Sequence, residues 1–258
     1  MKIAVLVKRV PDTASVFEIA SDGKSVELSN LKYVMSPYDE HAVEEAMKLK
    51  EGQGAQVVVV SAGPPDTKET IRSGLAMGAD SGVLVSDAAV EHLTPKGTAQ
   101  VLAAALKTVE PDLVIAGKQA VDDDASQVPE RVAELLDWPH VSVVTRLELD
   151  GTTATVDREV EGGQYTYEVP LPAVLSAQKG LNVPRYPTLP NIMKAKRKEI
   201  KELALTDLGL APEDISAAIA VEAMSLPRQE RLGRVLEGEP AEQVQTLVKA
   251  LRDDEKIF

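Results

Sequence analysis

The chain lacks cysteine altogether and has few histidines. None of its 258 residues is cysteine, and the histidines are His41, His92 and His140, widely separated along the chain. The absence of thiols excludes disulfide bonds, thiolate zinc sites, iron–sulfur clusters and cysteine nucleophiles. Three scattered histidines give little material for a metal site or a histidine-based catalytic triad. We therefore expect no metal ion and no catalytic site built on cysteine or histidine.

A long apolar run is also missing. No segment approaches the roughly 20 apolar residues of a membrane-spanning helix, and the apolar run at residues 3–7 is too short for a signal peptide. The composition, 44% hydrophobic and 27% charged, is typical of a globular protein, and the length predicts one large domain or one domain with an appendage. We expect a cytoplasmic protein of a prokaryote that does not insert into membranes.

Positive charge is scarce. The chain has 28 basic and 41 acidic residues, and its net charge of −13 argues against a protein that binds nucleic acid by neutralising phosphates. Residues 185–201 reverse this balance, with six basic residues and Glu199 as the one acid, a net charge of +5. Such a stretch predicts a docking patch for an acidic partner, and the alternative is a solvated basic surface.

Apolar residues in the first half of the chain alternate between two patterns. Short continuous runs at residues 3–7, 57–60, 83–85 and 113–116 are typical of strands buried on both faces. Between them lie stripes of helical period, and a fourth helix is predicted at residues 126–136. This order predicts an α/β fold, a doubly wound and mostly parallel sheet of the Rossmann-like type with right-handed crossovers.

The periodicity of the apolar residues changes in the second half of the chain. Residues 141–175 form extended segments separated by the turn signals Asp150-Gly151 and Gly162-Gly163, and Tyr165, Tyr167 and Val169 alternate with polar residues. This pattern predicts an antiparallel β extension of the same sheet, with a half-exposed strand.

The last 70 or so residues have little core of their own. Pro184, Pro187 and Pro190 argue against regular helix, and residues 205–237 have no clear period, whereas residues 240–252 are predicted to be helical. The apolar face of that helix comprises Val244, Leu247, Val248 and Leu251. Such a tail is expected to pack on a partner chain, or alternatively on the α/β body itself.

In an open parallel sheet, ligands bind at the carboxyl ends of the strands where the strand order reverses. The strand ends to consider are therefore residues 7–9, residues 61–64 and the loop that begins at Gly117. In this loop the glycine lets the backbone approach a ligand, Lys118 offsets anionic charge, and Ser126 or Asp124 is suited to capping the next helix. The alternative interpretation is a plain acidic capping turn.

Known nucleotide motifs are absent. The chain has neither GxGxxG after its first strand nor GxxxxGK[ST], which excludes a Rossmann dinucleotide fingerprint and a P-loop. The SGGxDS-type loop of ATP pyrophosphatases is missing as well. Hydrolytic or adenylating use of a nucleotide is therefore not expected.

Six stretches together resemble a known family. They are VKRV at residues 7–10, SPYDEHAVEEA at 36–46, ETIR at 69–72, LAMGAD at 75–80, GKQAVDDDASQ at 117–127 and RYPTLPNIMKAK at 185–196. In this order they resemble the small (β) subunits of electron-transfer flavoproteins, from about residue 5 to residue 200. The resemblance implies a non-catalytic half of a heterodimer, whose large (α) subunit carries the redox FAD. It also implies electron flow from acyl-CoA or other dehydrogenases, as in fatty acid oxidation, to a quinone-reducing oxidoreductase or another acceptor.

The resemblance further implies a structural AMP in this subunit. Carried over by position, its pocket is lined by Leu6, Ser36, Pro37, Tyr38, Asp39, Ala62, Gly117, Lys118, Gln119, Ala120, Val121, Asp122, Asp123, Asp124, Ala125, Ser126, Gln127 and Val128. These positions coincide with the strand ends chosen above. In relatives, aromatic residues at the positions of Tyr38 and Thr13 approach the flavin of the large subunit, and only Tyr38 keeps an aromatic ring here.

A second branch of the family holds a second FAD in place of AMP and performs electron bifurcation. Its members tend to have a glycine where this chain has Asp123, and a side chain there takes room from a larger cofactor. The segment 36–40 also matches the AMP type, whereas residues 127–130 lean toward the other branch. We favour AMP and keep the second FAD as the alternative.

The family uses a recognition loop to anchor partner dehydrogenases through an exposed leucine. Here that loop corresponds to residues 177–199, with Leu189 as the anchor, and the alternative is a Leu189 tucked under its own prolines. The docking residues implied are Arg185, Tyr186, Leu189, Pro190, Ile192, Met193 and Lys194. The chain then divides into a nucleotide-binding domain (1–180), a partner-recognition loop (181–200) and an arm on the large subunit (201–258). A homodimeric nucleotide-sensing α/β protein and an ATP pyrophosphatase are the rival classes, and the long arm and the missing pyrophosphate loop argue against them.

Overall fold

The computed structural model describes residues 1–91, 93–215, 219–227 and 233–258, so His92 lies outside the described residues. The chain divides into two compact units. The larger unit comprises Met1–Phe17 and Glu27–Val221, and the smaller unit comprises Glu18–Val26 and Glu222–Phe258.

Eleven strands are present in the described residues of the larger unit. In chain order they are β1 Lys2–Leu6, β2 Arg9–Pro11, β3 Tyr33–Met35, β4 Gln56–Ala62, β5 Ser81–Val85, β6 Leu113–Gly117, β7 His140–Asp150, β8 Thr153–Val160, β9 Gly163–Pro170, β10 Ala173–Ala177 and β11 Ile200–Leu203. Nine of them form one sheet in the order β11-β5-β4-β1-β6-β10-β7-β8-β9, and β2 pairs with β3 in a small antiparallel sheet. The strands from β11 to β7 are parallel, and β8 and β9 continue the sheet in antiparallel fashion. The predicted mostly parallel α/β fold and its β extension are therefore confirmed.

Helices cover both faces of the sheet. The larger unit contains α1 Pro37–Gln53, α2 Thr67–Met77, α3 Pro95–Val109, α4 Val128–Leu136 and α5 Leu189–Ala195, together with short 3₁₀ turns at Ala88–Val90, Leu205–Leu208 and Pro212–Ile215. In α1, α3 and α4 a proline occupies the first turn, where its missing N–H breaks no intrahelical hydrogen bond. One buried cluster joins α1 and α2 to one face of the sheet, and a second joins α3 and α4 to the other. The central strands are buried on both faces, which explains their continuous apolar runs.

The connections between strands fix where a ligand site forms. The chain builds the sheet from β1 to β4 to β5 in one direction, and then α3 returns it to β6 on the other side of β1. The strand order therefore reverses between β1 and β6. In open α/β sheets the crevice for ligands forms at the carboxyl ends of the two strands that flank such a reversal.

The structure corrects several sequence-based expectations in the second half. Tyr165 and Tyr167 are exposed on the edge strand β9, of which Val169 is the one buried residue, so β9 is not the half-buried strand predicted. Pro190 does not prevent helix but lies in the first turn of α5. Residues 201–221 belong to the larger unit: β11 extends the sheet, and Leu205 and Ile215 are buried in its core.

The smaller unit contains the predicted C-terminal helix. This helix, α6, spans Pro240–Lys249, followed by a π turn at Ala250–Asp254, and none of its residues is buried. Residues 19 and 26 form an isolated antiparallel bridge, and the Met224 N–H donates to the carbonyl of Gly23 at 2.8 Å. Across the described ranges of the whole chain, we find no helix with both the length and the apolarity that a bilayer crossing requires.

Candidate functional site

A cleft lies at the reversal point of the sheet. Its floor is formed by the ends of β1, β4 and β6, and its sides are formed by the start of α3, the start of α4 and the loop 117–127. It encloses about 730 Å³, including solvent at its open mouth.

Asp39 ties the two flanking strands together beneath this cleft. The residue lies in the first turn of α1 and is buried. Its Oδ2 accepts the N–H of Lys8 at 2.7 Å, just after β1, and its Oδ1 accepts the N–H of Gly117 at 3.0 Å, at the end of β6. Loss of solvent raises the pKa of Asp39 to about 7, against the two N–H donors and the Lys8 charge, which favour the ionised form.

Gly117 is required by the packing of α1. A Cβ built on Gly117 would lie 2.7 Å from Cβ of Tyr38 and 2.8 Å from the backbone nitrogen of Asp39, and it would clash with Oδ1 of Asp39 as well. These separations are below ordinary van der Waals contact. The close approach that demands a glycine therefore comes from the first turn of α1, whereas the sequence had suggested a ligand.

Lys8 crosses from β1 to the acidic loop. Its Nζ lies 2.8 Å from Asp122 and 3.1 Å from Asp123, so one ammonium group is shared by two carboxylates. Partial burial disfavours the charged amine, but the hydrogen bonds and charges of Asp122 and Asp123 outweigh it and raise the pKa of Lys8. This pairing accounts for two of the three aspartates that the sequence places in the loop.

The remaining polar residues of the loop bond to one another. Gln119 donates its side-chain N–H to Oδ1 of Asp124 at 2.6 Å, and Ser126 donates its hydroxyl to Oε1 of Gln119 at 2.7 Å. Asp124 and Ser126 both have positive φ, 47° and 49°. The prediction that one of them caps α4 is wrong, because the N-cap is Gln127, whose side chain makes no capping bond. The first turn of α4 therefore lacks an N-cap side chain, but it also contains Pro129, which has no N–H group, and Glu130, whose carboxylate bonds its own backbone N–H.

The walls of the cleft combine two kinds of surface. Leu6, Ala62, Leu93, Leu102 and Ala116 give an apolar lining, and the uncapped start of α4 lies beside Lys118, Ser126 and Gln127. Helix N-termini attract anions through their free N–H groups and their positive dipole end. The arrangement is suited to a ligand with a flat apolar part and an anionic part.

Most of the sequence-predicted nucleotide residues meet at this cleft. Those on its walls are Leu6, Asp39, Ala62, Gly117, Lys118, Gln119, Ala120, Asp123, Ala125, Ser126, Gln127 and Val128. The predicted residues that are not on its walls are Ser36, Pro37, Tyr38, Val121, Asp122 and Asp124. Ser36 is fully buried at the start of α1, its N–H bonds the Lys8 carbonyl at 3.0 Å, and its hydroxyl has no partner among the described residues.

Sequence reasoning missed one side of the cleft. Val7 and Lys8 belong to the strand end 7–9 considered above, and the wall residues that the sequence did not indicate are Leu93, Pro95, Thr98, Leu102, Ala116 and Pro129. Four of these lie in or just before α3, the helix that returns the chain across the sheet. The Thr94-Pro95 start of that helix was visible in the sequence, and together with the reversal point it could have indicated this wall.

A second surface of interest is the segment 182–198, which is attached to the larger unit at both ends. At its start, Asn182 donates to the His41 carbonyl and to Glu45, both at 2.9 Å. Arg185 forms ion pairs with Glu44, at 2.8 Å from Nε, and with Glu51, and these carboxylates raise its pKa. Both ion pairs of the Arg185 guanidinium are thus with carboxylates of α1.

The other end of the segment is held by main-chain carbonyl groups. Arg72 of α2 donates to the carbonyls of Ala195 and Lys198, at 2.5 and 2.6 Å. The Lys198 ammonium returns the contact by donating to the carbonyls of Leu75, at 3.0 Å, and Ala79. Burial lowers the pKa of Lys198. The stretch between these two attachments is therefore held in place although it has few buried residues.

The middle of the segment presents apolar side chains to solvent. Tyr186 is 95% exposed and Leu189 is 73% exposed, and Ile192 and Met193 are also exposed. Leu189 is therefore not tucked under its own prolines. Lys194 follows directly, so apolar and basic groups lie side by side on this surface.

Comparison with known proteins agrees with this geometry. Residues 25–208 match the model of the electron transfer flavoprotein domain. The chain is 39% identical to electron transfer flavoprotein subunit beta of Bacillus subtilis (strain 168), with 100% of both chains covered. It is 44% identical to the protein of that name from Bradyrhizobium diazoefficiens (90% of this chain, 92% of the relative) and 41% identical to that from Sus scrofa (100% and 99%). The chain therefore belongs to the family of electron transfer flavoprotein β subunits, as the sequence resemblance predicted.

Proposed function

We propose that this chain is the non-catalytic small subunit of a heterodimeric electron carrier and that it holds a structural AMP in the cleft between β1 and β6. The observation that carries the proposal is the coincidence of three independent indications at one place. The strand order reverses there, a cleft opens there, and most of the residues implied by the family resemblance line it.

The residues present fit an adenine nucleotide. A purine base needs a flat apolar slot, which Leu6, Ala62 and Leu102 can provide, and a phosphate needs N–H donors and positive charge. Lys118 can supply the charge, and the start of α4, where Val128 lies on the cleft wall, can supply an N–H donor. In the proposal these residues bind and orient the nucleotide, and none of them takes part in a covalent step.

The proposal assigns the redox chemistry to the partner subunit. The FAD of the large subunit supplies the group that accepts and donates electrons. This chain helps to enclose it, with Tyr38 at the start of α1 as the aromatic residue on that side. The unpartnered apolar face of α6 supports a role for the smaller unit in binding the large subunit.

Docking of dehydrogenases is assigned to the segment 182–198. Leu189 is proposed as the anchor, with Tyr186, Pro190, Ile192 and Met193 around it and Lys194 attracting an acidic partner. Arg185 has a different role from the one its sequence position implied: it positions the segment through Glu44 and Glu51. The electron acceptor proposed for the complex is a quinone-reducing oxidoreductase.

The test is to identify and count the nucleotides that denaturation releases from the chain purified together with its large subunit. The proposal predicts one FAD and one AMP per heterodimer. Two FAD without AMP would instead support the bifurcating alternative, in which a second FAD fills the cleft. Residues 127–130 favour that alternative. A chain that purifies without a large subunit and without flavin would refute the proposed function.

A further inference from the structure

The charges around the cleft are poorly balanced for a ligand with several phosphates. Lys8 and Lys118 are the lysines on its described walls, and Asp39 and Asp123 are the aspartates there. Lys8 is also paired with Asp122, 2.8 Å away, so its charge is already shared between two loop aspartates. In the ion pairs of the described residues, Asp122 and Asp123 bind Lys8 and not Lys118, the other lysine on the cleft wall.

We propose that Asp122 and Asp123, by occupying Lys8, make the cleft select nucleotides by charge, so that it accepts a nucleoside monophosphate and disfavours the di- and triphosphate. This inference rests on the proposed function, because it presupposes that the cleft holds an adenine nucleotide. It adds to that function the residues that determine its specificity.

The physical reason is the accumulation of negative charge. A single phosphate carries a charge of about −1.5 to −2 at pH 7, which Lys118 and the start of α4 can offset. Each further phosphate adds negative charge that Lys8 cannot neutralise while it is bound to Asp122 and Asp123. Two unit charges about 8 Å apart in water-like surroundings change an equilibrium constant roughly twofold, so two aspartates acting on two added phosphates give about tenfold or more.

A purely structural role for these ion pairs is less consistent with the geometry. The side chains of Lys8 and Asp123 are 42% and 43% exposed. Exposed ion pairs contribute little to the free energy of unfolding, about 0–1 kcal/mol. The strand ends are already joined beneath them by the buried carboxylate of Asp39. Because Lys8 and Asp123 lie on the cleft wall, this pairing matters more for a ligand than for the fold.

The experiment measures the dissociation constants of AMP, ADP and ATP by calorimetry, in magnesium-free buffer, on the heterodimer stripped of its nucleotide. The variants are Asp122→Asn with Asp123→Asn, and Lys8→Met. The matched control is Asp137→Asn with Asp150→Asn, which removes the same charge at exposed positions that are not on the cleft walls. We expect affinity to fall from AMP to ADP to ATP in the wild type and in the control.

The two variants should move this ranking in opposite directions. Neutralising Asp122 and Asp123 frees Lys8 and should raise the affinity for ATP relative to that for AMP by about tenfold. Replacing Lys8 removes the cation that pairs with both aspartates, and it should lower the affinity for ATP relative to that for AMP further. An unchanged ratio of ATP to AMP affinity in the double aspartate variant would overturn the inference and leave AMP binding, and so the proposed function, standing.

A second measurement keeps the inference testable should a variant not fold. In the wild type, raising the salt concentration from about 0.05 to 0.5 M should reduce the difference in affinity between AMP and ATP, because salt screens charges on the cleft walls. A difference that does not respond to salt would overturn the inference. Failure of the wild type to bind any adenine nucleotide would refute the proposed function itself.

Discussion

Replacing Gly117 by alanine should damage both the fold and the cleft. The new methyl group would lie 2.7 Å from Cβ of Tyr38 and 2.8 Å from the nitrogen of Asp39, so the first turn of α1 would have to move. Overpacking of this kind costs about 1–3 kcal/mol. The movement would also break the bond from the Gly117 N–H to the Asp39 carboxylate, 3.0 Å long, and bonds to charged groups contribute about 1.5–3 kcal/mol. Together these give an expected loss of about 2.5–6 kcal/mol in the free energy of unfolding.

The assay is urea unfolding of the variant and the wild type, followed by nucleotide binding at a temperature where both are folded. The matched control is Gly52→Ala in α1, where a Cβ meets nothing within 4 Å. Alanine there should stabilise the helix by about 0.5–1 kcal/mol, because glycine is a poor helix former. A Gly117→Ala protein that unfolds at the same urea concentration as the wild type would refute the packing argument.

Three other outcomes are expected. Asp39 has a pKa of about 7 in the folded chain against the usual 3.8, so between these pH values the folded state binds a proton that the unfolded state releases. The free energy of unfolding should therefore fall by on the order of 4 kcal/mol between about pH 4 and pH 7. Asp39→Asn should remove this part of the pH dependence of unfolding. Leu189→Ala should slow electron transfer from the dehydrogenase at subsaturating partner with unchanged cofactor content, while Val183→Ala, at a residue that is exposed and not among the proposed docking residues, serves as control; equal rates for wild type and Leu189→Ala would contradict the role of Leu189 as the anchor. Deleting residues 222–258 should leave the larger unit folded by circular dichroism yet reduce co-purification of the large subunit, and full recovery would show that the smaller unit is not part of that interface.

The strands and helices of the first half could be predicted because each is decided by local pattern. A strand buried on both faces needs a continuous apolar run, as in β4, and a helix on one face of the sheet needs a stripe, as in α3. The reversal point followed from the order of these elements, and it located the cleft. The long motifs that carried the family resemblance supplied the loop 117–127.

The features that the sequence did not predict depend on contacts between distant residues. Strand β11 has only four residues with an exposed centre, and its position beside β5 is fixed by pairing across the fold. Arg185 was interpreted as a docking residue because its charge is visible in the sequence, whereas its partners Glu44 and Glu51 lie more than 130 positions away. Leu93 and Leu102 resemble ordinary core residues, and only the packing of α3 places them on the cleft wall.

The double attachment of the segment 182–198 has a kinetic consequence. Because Asn182 and Arg185 hold one end and Arg72 and Lys198 hold the other, its ordering takes place when the chain folds rather than when a partner arrives. A surface that is ordered in advance needs few contacts to be recognised, so binding can be specific without being long-lived. In the proposed docking role this combination is an advantage, since each turnover requires the carrier to leave one protein and reach the next. Looser attachment would demand a larger interface for the same affinity, and thus a slower release.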